Sequence, residues 1–198
     1  MRLGYVLVLV LVLVAFALYV RGGWVSTTND RMSATSMDTV NRLTISSSDF
    51  RGGASIPSRF TCDGENTSPP LSWSGVPAGT QSLVMLMDDP DIPQVFKEQR
   101  GIDTFDHWTL FNISPAITGI AASSTAGVAG ANGAGKNAYT GPCPPPQYEP
   151  SEHRYFFRLY ALDSMLSLPE GSTKKDVLAA VEGHILGQAE YMGRYKRR

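Results

Sequence analysis

What most limits the folds open to this chain is a repeated alternation beyond residue 42. Short runs rich in β-branched and aromatic residues are separated by clusters of Gly, Pro, Asn and Ser. That rhythm is the mark of a mainly antiparallel β domain, because each run is long enough for one strand and each cluster supplies a turn. Leu43–Ser46, Leu71–Ser74, Ser82–Met87, His107–Ile113 and Arg154–Leu162 read as strands, with turns at Asp63-Gly64 and Pro77-Ala78-Gly79. One segment reads as a helix. Thr173-Lys174-Lys175-Asp176 is a capping box, Val177, Leu178 and Val181 form its apolar stripe, and Gly183 stops it. His184–Tyr195 returns as a final strand. So little helix makes a β-sandwich of two antiparallel sheets with one or two short helices the expected fold.

The 198 residues fit one domain plus extras. Leu3–Val20 is an uncharged run between Arg2 and Arg21, at the short end of what spans a bilayer. We read residues 1–21 as a signal anchor, with Tyr19 and Trp24 as interfacial aromatics. A cleaved signal peptide with its site at Ala15-Phe16-Ala17 is the alternative. Either reading puts the body outside the cytoplasm, membrane-anchored in the first case and secreted or periplasmic in the second. Residues 22–42 lack periodicity and read as a flexible linker, so the domain runs over 43–198.

The net charge is −1, from 17 basic and 18 acidic residues, and it lacks the basic footprint of a nucleic-acid binder. Cys62 and Cys143 form an even pair, compatible with one disulfide in an exported chain. Two free buried thiols satisfy the sequence equally well.

Chemistry gathers at three places. Asp88-Asp89-Pro90-Asp91-Ile92-Pro93 ends a strand in an acidic turn stiffened by two prolines. His107 opens the strand after the charged segment, and His153 opens the strand after a proline-rich loop, so both sit at strand ends within reach of one rim. Imidazole and carboxylate together suit a phosphate: the protonated ring donates to the anion while the carboxylate orients the ring. His184, near a helix end, reads as structural. The third place is Gly141-Pro142-Cys143-Pro144-Pro145-Pro146, a loop barred from any sheet ladder and suited to be a pocket wall.

Other chemistries find less support. The Gly/Ala/Ser-rich stretch 119–136 lacks the Gly-Lys-Ser/Thr ending of a phosphate loop and reads as a mobile surface loop, so no nucleotide cofactor is expected. The spacing of His107 and His153 matches no metal-ligand motif, and no Gly-x-Ser-x-Gly elbow is present. Neither a metal nor a catalytic residue is expected. Asn66-Thr67-Ser68 and Asn112-Ile113-Ser114 match the glycosylation sequon, which matters only in a eukaryotic secretory pathway.

Taken in order, these motifs resemble the phosphatidylethanolamine-binding protein family, in its bacterial and archaeal branch of Raf kinase inhibitor-like proteins. The residues that carry the resemblance are the run from Phe60 to Trp73, Asp89-Pro90-Asp91-Ile92-Pro93, His107-Trp108, Gly141-Pro142-Cys143-Pro144-Pro145, His153-Arg154-Tyr155, Leu159–Asp163 and Gly183–Tyr195. The resemblance implies a β-sandwich with a small cavity for an anion such as a phospholipid head-group phosphate. It implies a cavity lined by Asp89, Asp91, His107, Pro144, Pro145 and His153. It implies no common enzymatic activity; inhibition of a peptidase or kinase through surface loops is the alternative function. Two inserts, 94–106 and 146–152, depart from the bacterial pattern and are expected to bring negative charge to the cavity mouth, either disfavouring phosphate or selecting a cationic head group.

Overall fold

A computed structural model describes residues 42–197. The apolar run 3–20 and nearly all of the linker lie outside the described residues. Among the described residues, no helix is long and apolar enough to cross a membrane.

Two antiparallel sheets form the domain. β1 (Thr44–Ser46), β2 (Leu71–Ser74) and β5 (Gly119–Ile120) make a small sheet in the order β1-β2-β5. The larger sheet has the order β6-β4-β3-β7-β8, with β3 at Ser82–Asp89, β4 at Phe105–Ile113, β6 at Val128–Ala129, β7 at Glu152–Leu162 and β8 at Ile185–Lys196. The helices are α1 (Gln94–Arg100) and α2 (Lys174–Val181).

β3 shows why the sandwich closes. All eight of its residues are buried, as expected of a central strand covered on both faces. Side chains alternate across a strand, and here the alternation divides two cores. Leu83, Met85 and Met87 meet Ile45, Leu71 and Trp73 between the sheets. Val84 and Leu86 point the other way and pack with Phe111, Leu166, Val177 and Val181 beneath α2. The capping box at Thr173 and Asp176 fixes where α2 begins.

The same alternation separates the adjacent aspartates at the end of β3. Asp88 faces α2, where it accepts from Arg158 and from Lys174, whose ammonium also holds Asp106 at 2.6 Å and Thr104 at 2.8 Å. Asp89 faces the inter-sheet side.

Two expectations are corrected. Residues 94–106 are not only an insert loop, since Gln94–Arg100 is helical between Pro93 and a left-handed Gly101 whose N–H closes on the Lys97 carbonyl. No residue of α1 is buried, so it carries no apolar stripe by which periodicity reveals a helix. The stretch 119–136 is likewise not one loose loop: it supplies β5 and β6, and the buried Asn132 side chain bonds Ala134, Lys136, Ala138 and Thr140. Both sequon asparagines have structural partners. Asn112, at φ 53° beside a bulge, pairs with both backbone groups of Leu166, and Asn66 accepts from the Gly141 N–H.

Candidate functional site

The ends of β3, β4 and β7 and the proline loop converge on a cavity of about 170 Å³. His107 and His153 both line it. His153 begins the inward-facing register of β7 and is followed two residues later by Tyr155, while His107 follows Phe105 by two residues on β4. The wall opposite the histidines is Pro144 and Pro145, with Ile92, Pro93 and Phe96 beside them.

The histidines are held through one nitrogen each. His107 Nδ1 lies 2.6 Å from the Thr140 carbonyl oxygen. That oxygen only accepts, so Nδ1 carries the proton and Nε2 is left to the cavity. His153 Nδ1 lies 2.6 Å from Asp89 Oδ2, with both side chains almost fully buried. Its Nε2 is buried with no hydrogen-bond partner, an exposed need in a site where buried polar atoms are normally satisfied. Asp89 keeps its geometry through Oδ1, which accepts the Asp91 N–H at 2.7 Å in an Asx turn.

Asp91 has a different place from Asp89. Its carboxylate takes the Arg154 backbone N–H at 2.9 Å, Nε at 2.8 Å and Nη2 at 2.6 Å, and it is not part of the cavity lining. The Arg154 hydrogen bonds hold its carboxyl below the usual carboxylate value. The clamp ties the acidic turn to β7 next to His153. His184 is remote from the cavity and bonds Asp163 at the surface.

Disulfide-bonded Cys62 and Cys143, with Cα atoms 5.4 Å apart, fasten the proline loop to the Asp63-Gly64 turn. The Cys62 N–H donates to the Pro142 carbonyl, and the Tyr139 hydroxyl donates to the Phe60 carbonyl. Gly141 packs so closely there that a Cβ would stand 2.4 Å from the Phe60 carbonyl oxygen. The wall is thus rigid.

None of the inserts' carboxylates is among the residues that line the cavity. Glu98 accepts from Gln94, Asp106 serves Lys174, Glu149 caps Ser151 and Glu152 lies near Arg194. Asp89 is the sole carboxylate lining the cavity among the described residues. Sequence reasoning missed Thr140, Phe96 and Phe105. Phe105 was within reach of period-two spacing from His107; a backbone acceptor such as Thr140 leaves no sequence signal.

Comparison with known proteins agrees with this fold. The family model described as phosphatidylethanolamine-binding protein matches residues 46–196. The chain belongs to this family. A UPF0098 protein of Methanothermobacter thermautotrophicus is 47% identical over 155 residues, covering 75% of this chain and 95% of the relative. The crystal structure of a Chlamydia trachomatis homologue of phosphatidylethanolamine-binding protein superposes with a TM-score of 0.73 at 40% identity, covering 80% of this chain and 99% of that one. E. coli YbcL, described as a member of the mammalian PEBP family, gives 0.69 at 27% identity over 79% of this chain and 99% of that one.

Burial pushes the His107 imidazole below the ordinary histidine value of 6.5, outweighing the Thr140 carbonyl and the nearby aspartates. In the free protein this withdraws stability as pH falls below 6.5, because the unfolded chain takes up the proton first. An anion at Nε2 requires that proton, so binding should take it up. Affinity for sulfate, whose charge is constant in this range, is expected to rise between pH 8 and pH 5, by at most about tenfold per unit for one proton. Titration calorimetry in buffers of different ionisation enthalpy measures the uptake; a flat profile would overturn it.

Proposed function

We propose that this protein is a non-enzymatic binding module whose cavity takes a small anion of the phospholipid head-group class, phosphate above all. The observation that carries the reading is the pair of imidazoles, His107 and His153, each anchored through Nδ1 and both lining the same small cavity, with His153 Nε2 left without a partner. With both rings doubly protonated, two charge-assisted N–H donors converge where a carboxylate and a backbone carbonyl fix their orientation. The disulfide suits a location outside a reducing cytosol, in keeping with residues 1–21 read as an anchor or leader.

The test is calorimetric titration of the full chain with inorganic phosphate, alongside the variant His107→Ala/His153→Ala. The wild type is expected to bind and the variant to lose binding. Imidazole resonances of both histidines should shift together in the wild type, which keeps the test independent of the variant's folding. Phosphate that moves neither resonance would end the reading.

A further inference from the structure

The cavity is a poor match for bare phosphate in one respect. Apart from the two histidines, Asp89 and the Thr140 segment, its walls are apolar. A tetrahedral dianion has oxygens on every side, and those turned to Phe96, Phe105 and Pro145 would be desolvated without a partner.

A second chamber of about 220 Å³ adjoins it. The two share Ile92, Phe96, Phe105, Cys143 and Pro145, while Arg100 and Ile102 belong to the second alone. Segment 94–102, α1 and the turn after it, gives this annexe Phe96, Arg100 and Ile102, and the rest of its lining is Ile92, Phe105, Cys143 and Pro145. No carboxylate lines it. In the first cavity both Asp89 oxygens are engaged, Oδ2 by His153 and Oδ1 by the Asp91 N–H. An ammonium group placed beside a phosphate held by the histidines therefore finds only a carboxylate already committed to His153 and the Asp91 N–H.

We propose that the ligand is a soluble phosphomonoester carrying a short hydrocarbon group, with the phosphate at His107 and His153 and the hydrocarbon in the annexe against Phe96 and Ile102. The inference rests on the reading of the cavity as an anion site and adds the chemistry of the ligand's other end. It accounts for the apolar lining, for the absence of a free carboxylate, and for a helix that buries none of its residues in the core yet walls the site. Size favours a small molecule over a bilayer lipid: with about 30 Å³ as the share of one water in its liquid, 220 Å³ holds a chain of a few carbons and not a pair of acyl tails. Each methylene removed from water adds to affinity, so even a partly enclosed chain of six carbons should be felt strongly.

Titration of the full chain with inorganic phosphate, phosphoethanolamine and hexyl phosphate tests this. Hexyl phosphate is expected to bind at least about tenfold more tightly than phosphate, and phosphoethanolamine no more tightly than phosphate. Ile102→Trp, which fills the annexe from a half-buried position outside the first cavity, should erase the hexyl gain and leave phosphate affinity unchanged. Equal affinities for hexyl phosphate and phosphate, or a gain that survives Ile102→Trp, would overturn the annexe with the anion site intact. Tighter binding of phosphoethanolamine would overturn it in favour of a zwitterionic head group. Failure of all three anions would remove the underlying reading itself.

Discussion

Removing the Cys62–Cys143 bridge is expected to lower the unfolding free energy by about 4 kcal/mol, because cross-linking residues 81 apart withdraws loop-closure entropy from the unfolded chain. For a domain of this size that corresponds to a fall of roughly 10 °C in the thermal midpoint. The measurement is thermal unfolding of the oxidised protein against Cys62→Ala/Cys143→Ala. The bridge also bears on function, since Cys143 lines both chambers and the proline loop hangs from it. The double variant should therefore bind phosphate more weakly even at temperatures where it is fully folded. A loss below about 1 kcal/mol would mean that the remaining ties, the Cys62 N–H on Pro142 and the Gly141 N–H on Asn66, hold the loop by themselves.

Asp89→Ala is expected to cost about 3 kcal/mol and to abolish phosphate binding. The side chain is buried and holds two groups that have no other acceptor, His153 Nδ1 and the Asp91 N–H. Breaking one side of a buried pair leaves the other desolvated and unsatisfied, which is the expensive case. Without the carboxylate the His153 ring loses its orientation, and with it the direction of Nε2. Asp91→Ala provides the contrast. Its partner Arg154 has a side chain 45% exposed, and the freed guanidinium returns to water, so the loss should stay within about 1 kcal/mol. Urea denaturation of the two variants separates them. Equal costs would mean that Asp89 is a turn-former and no more.

Most of the strands were legible because their residues face a core on one side or both. β2 falls at Leu71–Ser74 as read, and β8 follows α2 as a strand. α1 was not legible: a helix lying on the surface has no apolar period, and its charges and the Pro93 before it look like loop chemistry. The site was legible in part. His107, His153, Asp89, Pro144 and Pro145 meet at one cavity, while Asp88, Asp89 and Asp91, adjacent in sequence and read as one acidic turn, serve three separate partners. Strand alternation sends the first two to opposite faces, and only a tertiary partner, Arg154, decides the third. The engagement of Asp89 Oδ2 by His153 depends on a contact between segments more than sixty residues apart, which no local pattern encodes.

The cavity draws on β3, β4, β7 and a loop stapled back to residue 62, so no fragment of the chain contains it. β3 sits between β4 and a strand that begins more than sixty residues later, and such non-local pairing forms late in folding. Occupancy of the cavity is therefore linked to the global equilibrium and not to a local one. A ligand at a hundred times its dissociation constant adds about 2.7 kcal/mol to the stability of the whole domain. The melting temperature becomes a binding assay that needs no labelled ligand, and a collection of small phosphates can be ranked by it directly.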